Sequence, residues 1–174
     1  MKNFQRGLVL NMSKGFTLIE LLVVVAIIGV LASVVLASLN TARAKGGDAA
    51  IKENLANARA QAEMFYDSNS NKYYNGSAAT DVCQSTGSVG SPVIKSIYAN
   101  VLAAANATSS TVVYNTLQTT TTTGCNSAAG TWVAQAPLKT LTASAVTYWC
   151  VDWAGTSKAE PNGSPLAALA TACP

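Results

Sequence analysis

Histidine is absent from the chain, and charged residues make up only 11% of it. The first absence excludes any triad that uses imidazole as its base. The second leaves few acids: Glu20, Asp48, Glu53, Glu63, Asp67, Asp81, Asp152 and Glu160. Apart from Glu20 they fall on polar helix faces or in loops. No two are close in sequence within an apolar context, so paired acid–base chemistry has no candidate. No glycine-rich phosphate motif follows a strand pattern. The four cysteines, Cys83, Cys125, Cys150 and Cys173, form no CxxC, and metal-ligand spacing is missing. The expectation is a non-enzymatic protein with no cofactor and no metal.

Net charge is +3, with 11 basic and 8 acidic side chains. Lys2, Arg6 and Lys14 all precede the apolar run. Without them 8 basic residues would face 8 acidic ones, so the basic pI belongs to the first residues and says nothing about binding nucleic acid. These three charges follow the positive-inside tendency, which Arg43 and Lys45 beyond the run blunt.

What the chain does have is a long run without charge, from Leu21 to Leu39, whose least apolar members are Gly29, Ser33 and Ser38. At helical rise it is about 28 Å long, matching the hydrocarbon thickness of a bilayer. Glu20 stands at its start, within Lys14-Gly15-Phe16-Thr17-Leu18-Ile19-Glu20-Leu21-Leu22. An unpartnered carboxylate in lipid costs roughly 2.5–3.5 kcal/mol, so Glu20 calls for a partner. A removable signal peptide fits less well, because no small-x-small cleavage site follows the run cleanly.

Gly15 followed by Phe-Thr-Leu-Ile-Glu resembles the N-terminus of type IV pilins and pseudopilins: a basic leader, glycine, this motif, then an apolar helix. The resemblance covers about the first quarter of the chain. It implies cleavage between Gly15 and Phe16 by a membrane-embedded prepilin peptidase, then N-methylation of Phe16. Gly15 would let the backbone approach the peptidase site closely. The freed Phe16 amine would be the counter-charge for Glu20 of a neighbouring subunit, in a low-dielectric setting that strengthens pairing. Met12 offers a second start, since Met12-Ser13-Lys14-Gly15 is itself a complete short leader. Many filament-forming pilins also carry a proline partway along the apolar helix. None falls within Leu31–Leu39 here, which leaves Gly29 as the weak point and keeps the pseudopilin alternative open.

The expected domain plan is a leader over 1–15, a transmembrane and polymerisation helix over 16–39, its amphipathic continuation over 40–68, and a head over 69–174. Ile51, Leu55, Ala58, Ala62 and Phe65 fall on one helical face, with Lys52, Glu53, Asn57, Arg59 and Glu63 around the other sides. Gly46-Gly47 is the place for a bend, or for a break into two hinged helices. A continuous helix would give half in lipid and half packed on a head, the shape of a pilin.

The segment from Asp67 to Gly76 carries turn-forming residues. Asp67, Asn69 and Asn71 imitate the first ligands of a calcium loop. Lys72 and Ala78 then occupy the positions that need glycine and glutamate, so a solvated loop is expected. Ser91-Pro92 predicts the start of a second helix, with Val93, Ile94, Ile97, Tyr98, Val101 and Leu102 as its buried stripe, fading near Asn106. A short strand is expected over 112–117, and Thr119–Thr123 as an exposed loop or edge strand. Two further strands are expected at Thr131–Ala136 and Ala145–Val151. Trp132, Tyr148, Trp149 and Trp153 gather there, most simply as packing under the long helix. The fold class is α+β: a long N-terminal helix against a small head with a second helix and a short antiparallel sheet.

An exported head meets oxidising conditions, so the cysteines are expected as disulfides, for which three pairings exist. Cys83–Cys125 and Cys150–Cys173 are favoured because each closes a loop without strong core pattern. The second resembles the disulfide-closed C-terminal loop of many pilins.

The resemblance implies a prepilin. Its partners would be identical subunits in a helical filament, the prepilin peptidase and methylase, the assembly machinery in the membrane, and membrane lipid before assembly. It would cross the cytoplasmic membrane once with its head exported, then join an extracellular pilus. The alternatives are a pseudopilin of a type II-like secretion system and a minor tip pilin acting as a binding module.

Overall fold

The computed structural model describes residues 15–90, 94–140, 146–160 and 164–174. The chain divides between Asn40 and Thr41 into two compact units. Helix α1 runs from Leu18 to Ser68. It continues through Gly46-Gly47, so the glycines do not split it. Long helices tolerate such a cost of ~1 kcal/mol per glycine where tertiary packing supports them.

In the first unit, the side chains from Phe16 to Leu39 lie on the surface. An 18-residue window of α1 there has mean hydropathy 2.9, long and apolar enough to cross a membrane by length and composition. The Ser33 hydroxyl is satisfied within the helix, donating to the Val30 carbonyl at 2.7 Å.

In the second unit, β1 (Ser88–Val89) and β2 (Ile94–Lys95) pair antiparallel as a small two-stranded sheet. Helix α2 follows at Tyr98–Thr108, and then come five strands. These are β3 (Thr111–Tyr114), β4 (Thr122–Ser127), β5 (Trp132–Pro137), β6 (Tyr148–Asp152) and β7 (Ser157–Glu160), adjacent in chain order. The sheet is mixed, because β3 runs parallel to β4 while the other neighbours are antiparallel. Ile51, Leu55, Ala58, Ala62 and Phe65 of α1 are all fully buried, and they share one core with Trp132, Ala134, Ala136 and Val151 of the sheet.

Several expectations change. The second helix starts at Tyr98, since the backbone before it is already committed to other pairing. Ile94 and Lys95 pair with β1, Ser96 N–H donates to the Gly87 carbonyl at 2.8 Å, and Ile97 N–H to Val82 at 2.9 Å. The predicted cap at Ser91-Pro92, with Val93, lies outside the described residues, as does the Ala145 start of the last expected strand. The threonine run does not end at an edge: Thr122 and Thr123 enter β4, a buried interior strand flanked by β3 and β5. Asn69 is buried rather than solvated, its amide donating to the Lys72 and Thr80 carbonyls at 2.7 and 3.1 Å.

Asp48, on α1 and mostly buried, accepts from the backbone N–H groups of Lys139 (2.6 Å) and Thr140 (3.2 Å). This ties the end of β5 to the helix. The polar sides of α1 are engaged as well. The Lys52 ammonium lies 4.7 Å from the centre of the Trp149 ring, and Arg59 donates to the Thr156 carbonyl. Trp132 sits under the helix as expected, whereas Trp153 is 45% exposed and the Tyr148 hydroxyl turns to the Thr119 carbonyl. Cys83 is bonded to Cys125 and Cys150 to Cys173.

Asp81 is 2% exposed and accepts from Cys83 N–H at 2.8 Å and from the Ser127 hydroxyl at 2.7 Å. A Cβ at Gly87 would stand 2.0 Å from the Asp81 carbonyl oxygen, so only glycine fits beside this turn. Burial raises the Asp81 pKa, and the two hydrogen bonds offset part of the rise. With the folded pKa raised, the group favours folding fully below its unfolded pKa, and this contribution is lost as pH rises through the folded value. Asp81→Asn keeps an acceptor and removes the charge. It is expected to stabilise the protein at neutral pH, with the gain shrinking as pH falls to about 4. Urea unfolding at both pH values checks this; an equal effect at the two would contradict it.

Candidate assembly and processing site

Gly15, Phe16 and Thr17 precede the helix in irregular backbone. Phe16 is 90% exposed, and the space around Gly15 is open to 4 Å. The Gly15–Phe16 peptide bond is thus accessible in a non-helical segment. Lys2, Arg6 and Lys14 lie outside the described residues.

Thr17 is the N-cap of α1 and Glu20 its third helical residue. The Glu20 N–H donates to the Thr17 hydroxyl oxygen at 3.3 Å. Glu20 Oε2 accepts from the Thr17 N–H at 2.9 Å and from its hydroxyl at 2.7 Å. This reciprocal pair is a capping box, and it satisfies backbone donors that have no partner inside the helix. The carboxylate also meets the positive end of the helix dipole. The Thr-x-x-Glu spacing was readable from the sequence.

Phe16, Ile19, Glu20, Val23 and Val24 line one shallow apolar groove, following helical neighbour spacing. Ala26, Ile27, Val30 and Leu31 line another further along. Glu20 and Phe16 therefore share a face that is otherwise apolar and unpartnered in a single chain. Among the described residues no cluster of three or more His, Cys, Asp or Glu side chains could hold a metal.

The second unit has a polar set that the sequence did not single out: Gln118, Asn126 and Gln135, all buried. They hold the segment 164–174 against the sheet. Isolated amide side chains carry no periodic signal, so nothing in the pattern pointed to them.

Residues 10–36 match the family described as the prokaryotic N-terminal methylation motif. The type IV wide pilus major component PilA4 of Thermus thermophilus is 43% identical over 67 residues, covering 38% of this chain and 50% of that protein. The chain thus spans about half the length of this curated relative. No solved structure matches the chain.

Proposed function

We propose, from the premise that this chain carries the N-terminal methylation signature of type IV pilins, that it is a structural subunit of a type IV pilus. The observation that carries the reading is the surface of α1 from Phe16 to Leu39, apolar and exposed, with Glu20 as its one charge after the accessible Gly15–Phe16 bond. A surface of this size and polarity requires lipid or other helices around it. Before assembly it sits in the cytoplasmic membrane with residues from Thr41 onward exported; afterwards it packs with the same surface of other copies. The likeness to the Thermus pilus component supports a subunit role over a secretion pseudopilin.

In this reading residues 1–15 are a leader, removed by a prepilin peptidase that cuts after Gly15 and methylates the Phe16 amine. Residues 16–39 polymerise, 40–68 continue the helix, and 69–174 form the head. The assembly machinery of the membrane extracts the cleaved subunit. Movement, adhesion or uptake belong to the fibre.

Mass spectrometry of sheared surface filaments is expected to find this chain as an abundant component beginning at N-methylated Phe16. An intact leader in assembled material, or a start after Ala32 or Ala37, would refute the processing. A scarce chain would point to a tip subunit, and its absence from surface filaments to a pseudopilin. A bulky residue at Gly15 is expected to block cleavage by crowding the peptidase site.

A further inference from the structure

The segment 164–174 covers one face of the sheet without joining it as a strand. Its main chain is gripped mainly by side chains. Leu166 N–H donates to Gln118 Oε1 at 3.0 Å, and the Leu166 carbonyl accepts from Gln118 N–H at 3.0 Å. Asn126 Nδ2 donates to the Ala167 and Ala170 carbonyls at 3.1 and 2.9 Å. Gln135 Nε2 donates to the Ser164 carbonyl at 3.2 Å, and Cys173 N–H donates to Asp152 Oδ2 at 3.2 Å. Leu166 is the apolar anchor, buried against Val133 and Cys150. It reaches the sheet where Gly124 has no side chain; a Cβ there would meet Leu166 and Gln118 at 3.2 Å.

This attachment differs in kind from the ladders around it. Strands β4, β5 and β6 share continuous backbone pairing, so they open together or not at all. The covering segment has separate side-chain contacts and one apolar anchor. Beneath it Asn126 Oδ1 and Gln135 Oε1 are buried without a partner. Opening would give both oxygens to water, which lowers the cost of release.

The two disulfides differ in the same way. Cys83 and Cys125 are fully buried in the main core beneath α1. Cys150 is buried, but Cys173 is partly exposed, on the covering segment itself. Thiol–disulfide exchange requires access to a sulfur. We propose that Cys150–Cys173 is a thiol-sensitive latch, and that a dithiol reductant releases residues 164–174 while the five-stranded sheet and Cys83–Cys125 remain intact.

The exchange balances as follows. One thiolate of the dithiol attacks the Cys173 sulfur, and Cys150 leaves as a thiolate that takes a proton from water. The second thiol of the reductant, deprotonated, attacks the mixed disulfide and expels Cys173 as a thiolate, protonated in turn. Two electrons pass to the cysteines, and the dithiol ends as a cyclic disulfide. The opened face would present amides that bond main-chain groups, with a single apolar recess where Leu166 had been.

The test uses the full chain in detergent, treated with dithiothreitol and iodoacetamide, with peptide mapping and hydrogen exchange followed together. Cys150 and Cys173 are expected to alkylate about tenfold or more faster than Cys83 and Cys125, since local opening outpaces global unfolding. The Leu166 and Cys173 amides should lose protection as this happens, while those of Ala134 and Val151 keep theirs. Equal alkylation of all four cysteines would overturn the latch, as would reduction that leaves Leu166 protected. So would resistance of Cys150–Cys173 to the dithiol. Cys173→Ser provides an independent reading: it should expose the Leu166 amide without reductant and leave the sheet protected. Loss of sheet protection in that variant would show the segment to be integral to the fold and refute its separate release.

Discussion

Glu20→Gln is expected to keep the start of α1 intact and still enter filaments poorly. Glutamine at the third helical position can accept from Thr17 as glutamate does, so the capping box survives. What it loses is the charge. If Glu20 pairs with the Phe16 amine of an adjacent subunit, that amine is left uncompensated in a low-dielectric setting. Breaking such a pair costs about 3–5 kcal/mol, on the order of a hundredfold or more per joining step. Thr17→Val provides the contrast, because it loses the hydroxyl from the cap and keeps the carboxylate. A cap contributes about 0.5–2 kcal/mol, so a mainly local role for Glu20 predicts a mild defect in Thr17→Val and little or none in Glu20→Gln. A role between subunits predicts a severe defect in Glu20→Gln alone. Membrane-pool and sheared-filament abundance, measured for each variant, separate the two. Normal incorporation of Glu20→Gln would show that its charge does not direct assembly, and failure of leader removal would move its role to peptidase recognition.

The second large effect is expected at Trp132. It is fully buried, and its ring lies 6.4 Å from that of Tyr73 in an edge-on arrangement. It shares the core with Leu55, Ala58 and Phe65 of α1, and its backbone carbonyl accepts from Trp153 N–H at 3.1 Å. Trp132→Ala would leave a cavity that the disulfide-linked sheet cannot easily close. The expected loss is about 3–5 kcal/mol, a large part of the stability of a domain this size. Trp153→Ala, at an exposed ring, should change stability little. Chemical denaturation of the oxidised protein measures both. Comparable losses would mean that the Trp132 site repacks, or that Trp153 contributes to the fold beyond its visible contacts.

The long helix and its buried stripe were legible because periodicity is local information. Apolar residues at spacings of three and four identify a face wherever they occur, and Ile51 through Phe65 are buried on that face. The length of the uncharged run and the Gly-Phe-Thr-Leu-Ile-Glu motif are equally local. Strands β5 and β6 were also visible, since alternation and Pro137 mark them without reference to partners.

Other features were decided only by tertiary contact. Ile94 fits a helical stripe, yet it pairs with Val89 while Lys95 pairs with Ser88, and this pairing delays α2. The parallel β3–β4 pair depends on a short connection over 115–121, whose buried Gln118 bonds to the Thr122 and Gln135 carbonyls. Strand direction is set by such distant partners, and no turn motif announces it. The threonine run shows the same limit: its polarity suggested surface, but Thr123 is buried and its hydroxyl is 2.7 Å from that of Ser110. By itself the sequence determined where apolar surface must be covered and where the chain carries the N-terminal methylation motif. The tertiary structure decided which polar groups could be buried: side chains such as Gln118 and Asn126 are tolerated inside because distant parts of the chain accept from their amide N–H groups, which offsets the cost of desolvation even where an amide oxygen is left without a partner.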